Sequence, residues 1–378
     1  MWVGFVAYLG IVVGAPVLGR RLVWAAIALA VTAFAVAPVL LSHDVYSYVD
    51  YARLGVVHGL NPYVNPPLAA PHDPVFAKVI WTRTTSAYGP LFTLATYPLA
   101  WLPVGAAVAV LKAVAALSVL GLAAVTARLA AWRGVDPLRA AAFLALNPLV
   151  LVHVVGGAHN DGLTMLLTML GVAAILSARE AAGGAALLAA VATKVSAAFI
   201  APFAVVATAR ARPTGLKHPY MEENRPVGVE VGRWRGLERL CFGALGAAGV
   251  IGLIAYLGFG WDWLRAFALA GESQAQTSHL SIPTTLARIT GLDPDALRLL
   301  ALVLFLTLVL ELLLWTWRGG DWVRAAAWTA AGLLLATSWL LPWYLIWLLP
   351  LAAIARDRPL QLLALALTAY QLAARIPL

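Results

Sequence analysis

Long apolar runs broken by short polar connections limit what this chain can fold into more than any other feature. Residues 2–19, 22–41, 104–131, 139–155, 160–178, 241–260, 298–317, 324–341 and 359–377 are such runs, and about 17–25 apolar residues suffice to cross a bilayer as a helix. Shorter apolar pieces lie at 88–102, 182–193, 195–209 and 343–355. In lipid, backbone donors and acceptors must be satisfied within the segment, so runs of this kind fold as helices. Composition agrees, with 62% of residues hydrophobic and 11% charged, against about 25% charged in a soluble domain. The expectation is one all-α integral membrane domain over residues 1–378, with roughly 11–13 transmembrane or partly spanning helices. No basic residue precedes Trp2 to Gly19, and Arg20-Arg21 follows it, an order that reads as a retained anchor. No internal repeat is apparent.

Sidedness follows from the basic residues, because Lys and Arg are retained on the cytoplasmic face. With Arg20-Arg21 cytoplasmic, so are Arg128, Arg133, Arg139, Arg179, the 210–240 loop, Arg318, Arg324, Arg356 and Arg358. A single span over 181–209 would put the strongly basic 210–240 loop on the wrong face. Two short segments meeting near Thr193-Lys194 remove the conflict, since broken helices are tolerated where they line a protein cavity. The extracytoplasmic face then receives the 42–88 loop, the turn at 156–161, Lys194, the 261–297 loop and the turn at 341–344. The net charge of +9 is accounted for by cytoplasmic loops and not by nucleic acid. The single cysteine, Cys241, excludes a disulfide within the chain and a cysteine metal cluster. There is no Walker A, Rossmann, HExxH or CxxC motif, so an activated group would reach this face on a lipid carrier.

Asp44 stands three residues beyond the second run and opens a segment of helical character that Gly55 would stop. On that helix Asp44, Ser47, Tyr48 and Tyr51 share one face, while Asp50 and Arg53 pair on another. Two readings stand: an aspartate capping an interfacial helix in an aromatic belt, or a general base for an acceptor hydroxyl. Asn61-Pro-Tyr-Val-Asn-Pro-Pro67 is rigid and non-helical, and Arg83 and Tyr88 serve either a turn or a substrate. Gly156-Gly-Ala-His-Asn-Asp161 brings His159, Asn160 and Asp161 to a helix start, which favours anions and equally suits capping. His159 with Asp44 and Asp161 is a weak signal for a divalent cation, which stays open, and no other cofactor is indicated. Lys194 interrupts an apolar run, where a lysine is costly unless functional or snorkelling. Trp343 and Tyr344 flank Pro342 as belt residues or as a wall for the apolar face of a sugar. Asn147, His153, Lys112 and Glu311 read as buried groups bonding between helices.

In chain order, Asp44-Val-Tyr-Ser-Tyr, Tyr51-Ala-Arg-Leu-Gly55, Gly59-Leu-Asn-Pro-Tyr63, Ser86-Ala-Tyr-Gly-Pro-Leu91, Asn147-Pro-Leu-Val-Leu, Gly156-Gly-Ala-His-Asn-Asp161, Lys194-Val-Ser and Pro342-Trp-Tyr-Leu-Ile-Trp347 form a spaced set. The set resembles the bacterial polyprenyl-phosphomannose-dependent α-(1→6)-mannosyltransferases of the GT-C superfamily, over about residues 20–355. The resemblance implies a GT-C-type bundle with interfacial helices in the first extracytoplasmic loop and an active site on that face of the bacterial plasma membrane. It implies Asp44 as catalytic base; the paired acids of many superfamily members are absent, which leaves Asp50 in reserve. Lys194, His159 and Arg53 would contact the donor phosphate, and Asp161, Asn160, Tyr48, Tyr88, Trp343 and Tyr344 the sugars. The expected partners are a polyprenyl-monophosphate sugar donor, a glycolipid or glycan acceptor and membrane lipids, with inversion at the anomeric carbon. The 210–240 loop matches nothing in that family. The rival readings are a lipid-linked glycan ligase or polymerase and a lipid or sugar transporter, whose polar site would lie near the bilayer midplane.

Overall fold

The computed structural model describes residues 2–210, 234–272 and 276–374, and all regular structure among them is helical. The first two expected spans form one run, α1 (Trp2–Val36), divided at Gly19, whose φ of 77° and ψ of 165° leave helical geometry. Glycine takes a positive φ without steric cost. The polar segment that follows carries α2 (Asp44–Val56), single turns at Pro67–Ala69 and Phe76–Lys78, and α3 (Pro90–Thr96). Next come α4 (Val104–Trp132) and α5 (Pro137–Ala145).

The expected span over 139–155 is broken in two. Pro148 lacks the N–H that would continue the helix, so α5 stops at Ala145 and the chain resumes as a wide turn over Val150–Val155. Asn147 fills the gap. Its Nδ2 donates to Thr368 Oγ1 at 3.0 Å and its Oδ1 accepts from the Leu149 N–H at 3.0 Å.

The remaining helices are α6 (Asp161–Leu176), α7 (Glu180–Thr193), α8 (Ala201–Ala209), α9 (Arg235–Phe259), α10 (Arg265–Glu272), α11 (Ile282–Thr290), α12 (Pro294–Trp317), α13 (Trp322–Ala336), α14 (Leu349–Ile354) and α15 (Arg358–Ala373). Among the described residues four helices, α1, α4, α9 and α12, are long and apolar enough to cross a membrane. The other expected runs appear as shorter or broken helices. Half of the most apolar stretch of α4 is buried, whereas no residue in that of α12 is fully buried. Glu311, expected among the buried groups, is therefore exposed on α12.

Glycines set the closest packing. A Cβ on Gly184 of α7 would lie 2.1 Å from Leu240 O, and one on Gly243 of α9 would lie 1.8 Å from Ala181 O. Lipid tails are as apolar as leucine, so close backbone approach is what holds such helices together.

The two ends of the bundle differ. At one end Arg133 donates from Nε to Ile354 O at 2.7 Å and pairs with Asp321, and Arg324 pairs with Asp357 at 2.5 Å. Asp321 and Asp357 also cap α13 and α15. Arg210, just past α8, reaches Thr316 O near the end of α12. Lys194, between α7 and α8, meets Asp161 at the other end. Residues 180–209 thus run out to Lys194 and turn back, with the break where the charge distribution required it. Of the basic 210–240 loop, residues 211–233 lie outside the described residues.

Gly184→Leu or Gly243→Leu is expected to force α7 and α9 apart and to lower the melting temperature in detergent by several degrees. Gly246→Ala, where an added Cβ meets nothing within 4 Å, should be neutral or stabilising by up to about 1 kcal/mol. Differential scanning fluorimetry on the three variants checks the contrast.

Candidate active site

Lys194 sits where α7 stops, in extended backbone (φ −156°, ψ 126°) before the tight turn at Val195–Ile200. Its Nζ lies 2.9 and 2.8 Å from the two carboxylate oxygens of Asp161, and the Trp347 indole N–H donates to Asp161 Oδ1 at 2.8 Å. The Asp161 side chain is fully buried and that of Lys194 is 16% exposed. Tyr344 and Trp347 stack on each other at 4.1 Å, and the ammonium lies 5.4 and 5.9 Å from their ring centres, a cation–π arrangement. Asp161 opens α6, where the helix dipole favours a carboxylate. Neither it nor Asn160 caps that helix through its side chain, so the capping reading fails here.

The capping reading fails at Asp44 too. His43 occupies the cap of α2 without a side-chain bond. Asp44 Oδ1 instead accepts from the Trp81 indole N–H at 3.0 Å, and Oδ2 lies 3.8 Å from His159 Nδ1. Burial pushes the Asp44 carboxyl above the ordinary carboxylate range, against the Trp81 hydrogen bond and the positive charge of Lys194, with Asp161 adding to the rise. His159 is buried and stacks on Trp343 at 3.8 Å and 21°. Burial, then Lys194 and His153, drive its imidazole well below the usual range, so it is neutral. It offers a phosphate a hydrogen bond but no charge. Both Leu41 (φ 56°) and Ala158 (φ 55°) take left-handed backbone just ahead of these residues, a strain that collects at functional sites.

Tyr48 and Tyr88 meet edge to face at 4.7 Å and both pack on Phe92. The Gly89 N–H donates to Thr193 O at 3.1 Å, and a Cβ there would lie 2.0 Å from Ala192 O. Glycine alone lets this loop touch the end of α7 beside Lys194. Asn160 is buried next to His159, with no hydrogen-bond partner for its side-chain atoms.

Arg53 is not brought to this cluster, and its expected pairing with Asp50 does not form. Its Nε lies 2.9 Å from both oxygens of Asp73 and its Nη1 donates to Ala100 O, while His58 meets Asp73 at 2.7 Å. Burial would raise the Asp73 carboxyl, but Arg53, His58 and the Val75 N–H together hold it below its usual value. Arg53 therefore acts as a strut for the first loop, and the phosphate role expected for it is withdrawn. Asp50, buried nearby, is pushed up to about 7 by burial and by the Asp73 carboxylate.

Sequence reading missed Trp81, Trp347 and Asp73. Trp347 carried a signal, since it follows Tyr344 by three residues in one helical turn. Trp81 carried none, being a lone loop tryptophan. Among the described residues no group of three His, Cys, Asp or Glu side chains is arranged to hold a metal ion; the carboxylate of Asp161 is taken by Lys194 and Trp347.

Fold and site define an all-helical membrane protein whose polar centre is assembled from helix breaks at one end of its bundle. Residues 1–210 match the family model described as alpha-(1->6)-mannopyranosyltransferase, N-terminal domain, and the chain belongs to that family. The matched part holds Asp44, His159, Asp161 and Lys194; the aromatic segment at 342–347 lies beyond it. The chain is 32% identical over 351 residues to alpha-(1->6)-mannopyranosyltransferase A of Mycobacterium tuberculosis, covering 86% of this chain and 64% of that protein. It is 29% identical to the protein of the same name from Corynebacterium glutamicum, over 66% of this chain and 51% of that one. It is also 29% identical to a probable alpha-(1->6)-mannopyranosyltransferase of Mycolicibacterium smegmatis, over 84% and 62%. The chain thus spans less than two thirds of the length of these relatives. No solved structure matches it.

Two stability predictions follow from the buried charges. Asp161→Asn leaves the largely enclosed Lys194 ammonium without its counter-charge and is expected to cost about 1–3 kcal/mol. Adding Lys194→Met to it should recover part of that loss in detergent melts; further destabilisation by the second change would contradict the pairing. Asp50 has a folded value of about 7 against about 3.9 for a free aspartate. The fold prefers its protonated form, so that contribution is full below about pH 4 and is lost as pH rises through 7. Asp50→Asn should therefore gain on the native protein between pH 4 and 8, and a gap constant with pH would refute this.

Proposed function

We propose that this protein is an inverting glycosyltransferase that moves mannose from a polyprenyl-monophosphate carrier to an extracytoplasmic glycolipid or glycan, forming an α-mannoside, with α-1,6 the linkage named for its relatives. The observation that carries the proposal is one juxtaposition. Asp44, with its carboxyl raised by burial, stands in the electrostatic field of a lysine set in a helix break beneath an aromatic wall.

The reaction is a single displacement. The acceptor hydroxyl gives its proton to the Asp44 carboxylate as its oxygen attacks the anomeric carbon. The bond from that carbon to the phosphate oxygen breaks, and the electron pair leaves with the polyprenyl monophosphate. Lys194 stabilises the charge that gathers on the departing phosphate, and it does so best in a site withdrawn from water. Asp161 keeps the lysine aimed. A carboxyl raised toward neutrality is a better-matched base than an ordinary aspartate. His159, Asn160, Trp343 and Tyr344 line the sugar, with Tyr48 and Tyr88 behind Asp44.

The arginine-rich end of the bundle faces the cytoplasm by the positive-inside rule, which turns the Asp44 end outward on a multi-pass protein of the bacterial plasma membrane. There a lipid carrier delivers the sugar without a nucleotide.

With purified protein in liposomes, Asp44→Asn is expected to lower kcat by about 10²–10⁴-fold, the share of a general base, while donor KM holds. Lys194→Met should raise donor KM as well as lower kcat. The acid limb of the kcat/KM profile should lie above the ordinary carboxylate range, because burial raises Asp44. A rate within tenfold of the native enzyme for Asp44→Asn would remove Asp44 as the base.

A further inference from the structure

Trp81 is the least expected member of the cluster. It is 37% exposed, on the first loop, yet its indole N–H is spent on Asp44 Oδ1 at 3.0 Å. A tryptophan of the interfacial belt turns its N–H to headgroups or water; this one turns it inward to a carboxylate. Trp339 meets it edge to face at 6.4 Å and 70°. The stretch that carries Trp339 follows α13 and is fixed by neighbours: Ser278 donates from its N–H to Ser338 O at 2.9 Å and from Oγ to Leu340 O at 2.7 Å. One indole therefore bonds an oxygen of Asp44, and a second, from a distant loop, packs against the first. Its other oxygen faces His159, which stacks on Trp343.

The two sides of Asp44 differ in chemistry. Toward His159 are the neutral imidazole and the aromatic segment that also carries Trp347, bonded to Asp161 beside Lys194. Toward Trp81 there is aromatic surface in part open to solvent. A hexopyranose has one face of C–H bonds, which packs on an aromatic ring, and an edge of hydroxyls, which needs acceptors. Trp81 beside Asp44 supplies both within one side-chain length.

Resting on the glycosyl-transfer reading, we propose that Trp81 and Trp339 form the acceptor subsite. The indoles hold a hexopyranose of the acceptor glycan so that its reacting hydroxyl meets Asp44, and the Trp81 N–H keeps one carboxylate oxygen occupied while the other takes the proton.

The test uses the full chain in liposomes with polyprenyl-monophosphate mannose as donor and a synthetic alkyl mannoside as acceptor. Trp81→Ala should raise acceptor KM about tenfold or more, the scale of one lost aromatic contact, with donor KM within twofold. Trp339→Ala should do the same to a smaller extent. Trp81→Phe should keep acceptor KM near the native value, lower kcat, and move the acid limb of the pH profile upward, because the lost N–H favoured the charged carboxylate. The subsite is overturned if Trp81→Ala leaves acceptor KM unchanged or raises donor KM alongside it. Binding of the mannoside without donor, followed by saturation-transfer NMR, separates the two claims. If the native protein consumes no lipid donor yet binds the mannoside and Trp81→Ala does not, the transfer reading falls and the subsite stands. If the native protein turns over and Trp81→Ala binds the mannoside normally, the subsite falls and the transfer reading stands.

Discussion

A lysine paired with a fully buried aspartate, where one helix ends and another begins, is the interaction on which the rest of the site depends. Asp161 accepts two contacts from Lys194 and one from Trp347, so its carboxylate is well satisfied despite full burial. That single group ties the start of α6, the end of α7 and the turn at 342–347 to one point. Each of those segments departs from regular α-helix there. A buried ion pair adds little net stability of its own, because desolvation offsets attraction. Its consequence is geometric: removing either partner strands the other, so the segments are held in one arrangement.

Around that pair the chain builds two kinds of wall. Stacked rings, His159 on Trp343 and Tyr344 on Trp347, enclose the side nearest the lysine. Trp81, backed by Trp339, borders the other side of Asp44. Asp44 stands between them with one oxygen turned each way. Left-handed backbone at Leu41 and Ala158 brings these residues to the centre at a local conformational cost. At the far end, Arg133, Asp321, Arg324 and Asp357 latch α4, α13 and α15, so the site is mounted on helices fixed at their opposite ends.

Much of this was legible in the sequence, for identifiable reasons. Apolar runs dictated helices, and the charge surplus after residue 209 required a reversal at Lys194, where α7 does stop. Polar groups directly after apolar runs marked Asp44 and Asp161. What escaped depends on pairings across distance, which local pattern does not encode. Arg53 looks available in the sequence because Asp73, its partner, lies twenty residues on in an irregular loop; Trp81 gives no local signal because its bond to Asp44 spans thirty-seven. The break at Asn147-Pro148 is different, because the proline that ends α5 is plain in the sequence but lies within a continuous apolar run. Hydropathy cannot say which helix lies at the rim of the bundle, where Glu311 is exposed.

The measurement that bears most directly on this account offers the purified protein, in liposomes, polyprenyl-monophosphate mannose and a nucleotide-linked mannose in separate reactions with the same glycan acceptor. Transfer from the lipid monophosphate alone is expected, with an α-linked product from a β-linked donor. Transfer from the nucleotide sugar, or retention of the donor's anomeric configuration, would contradict it.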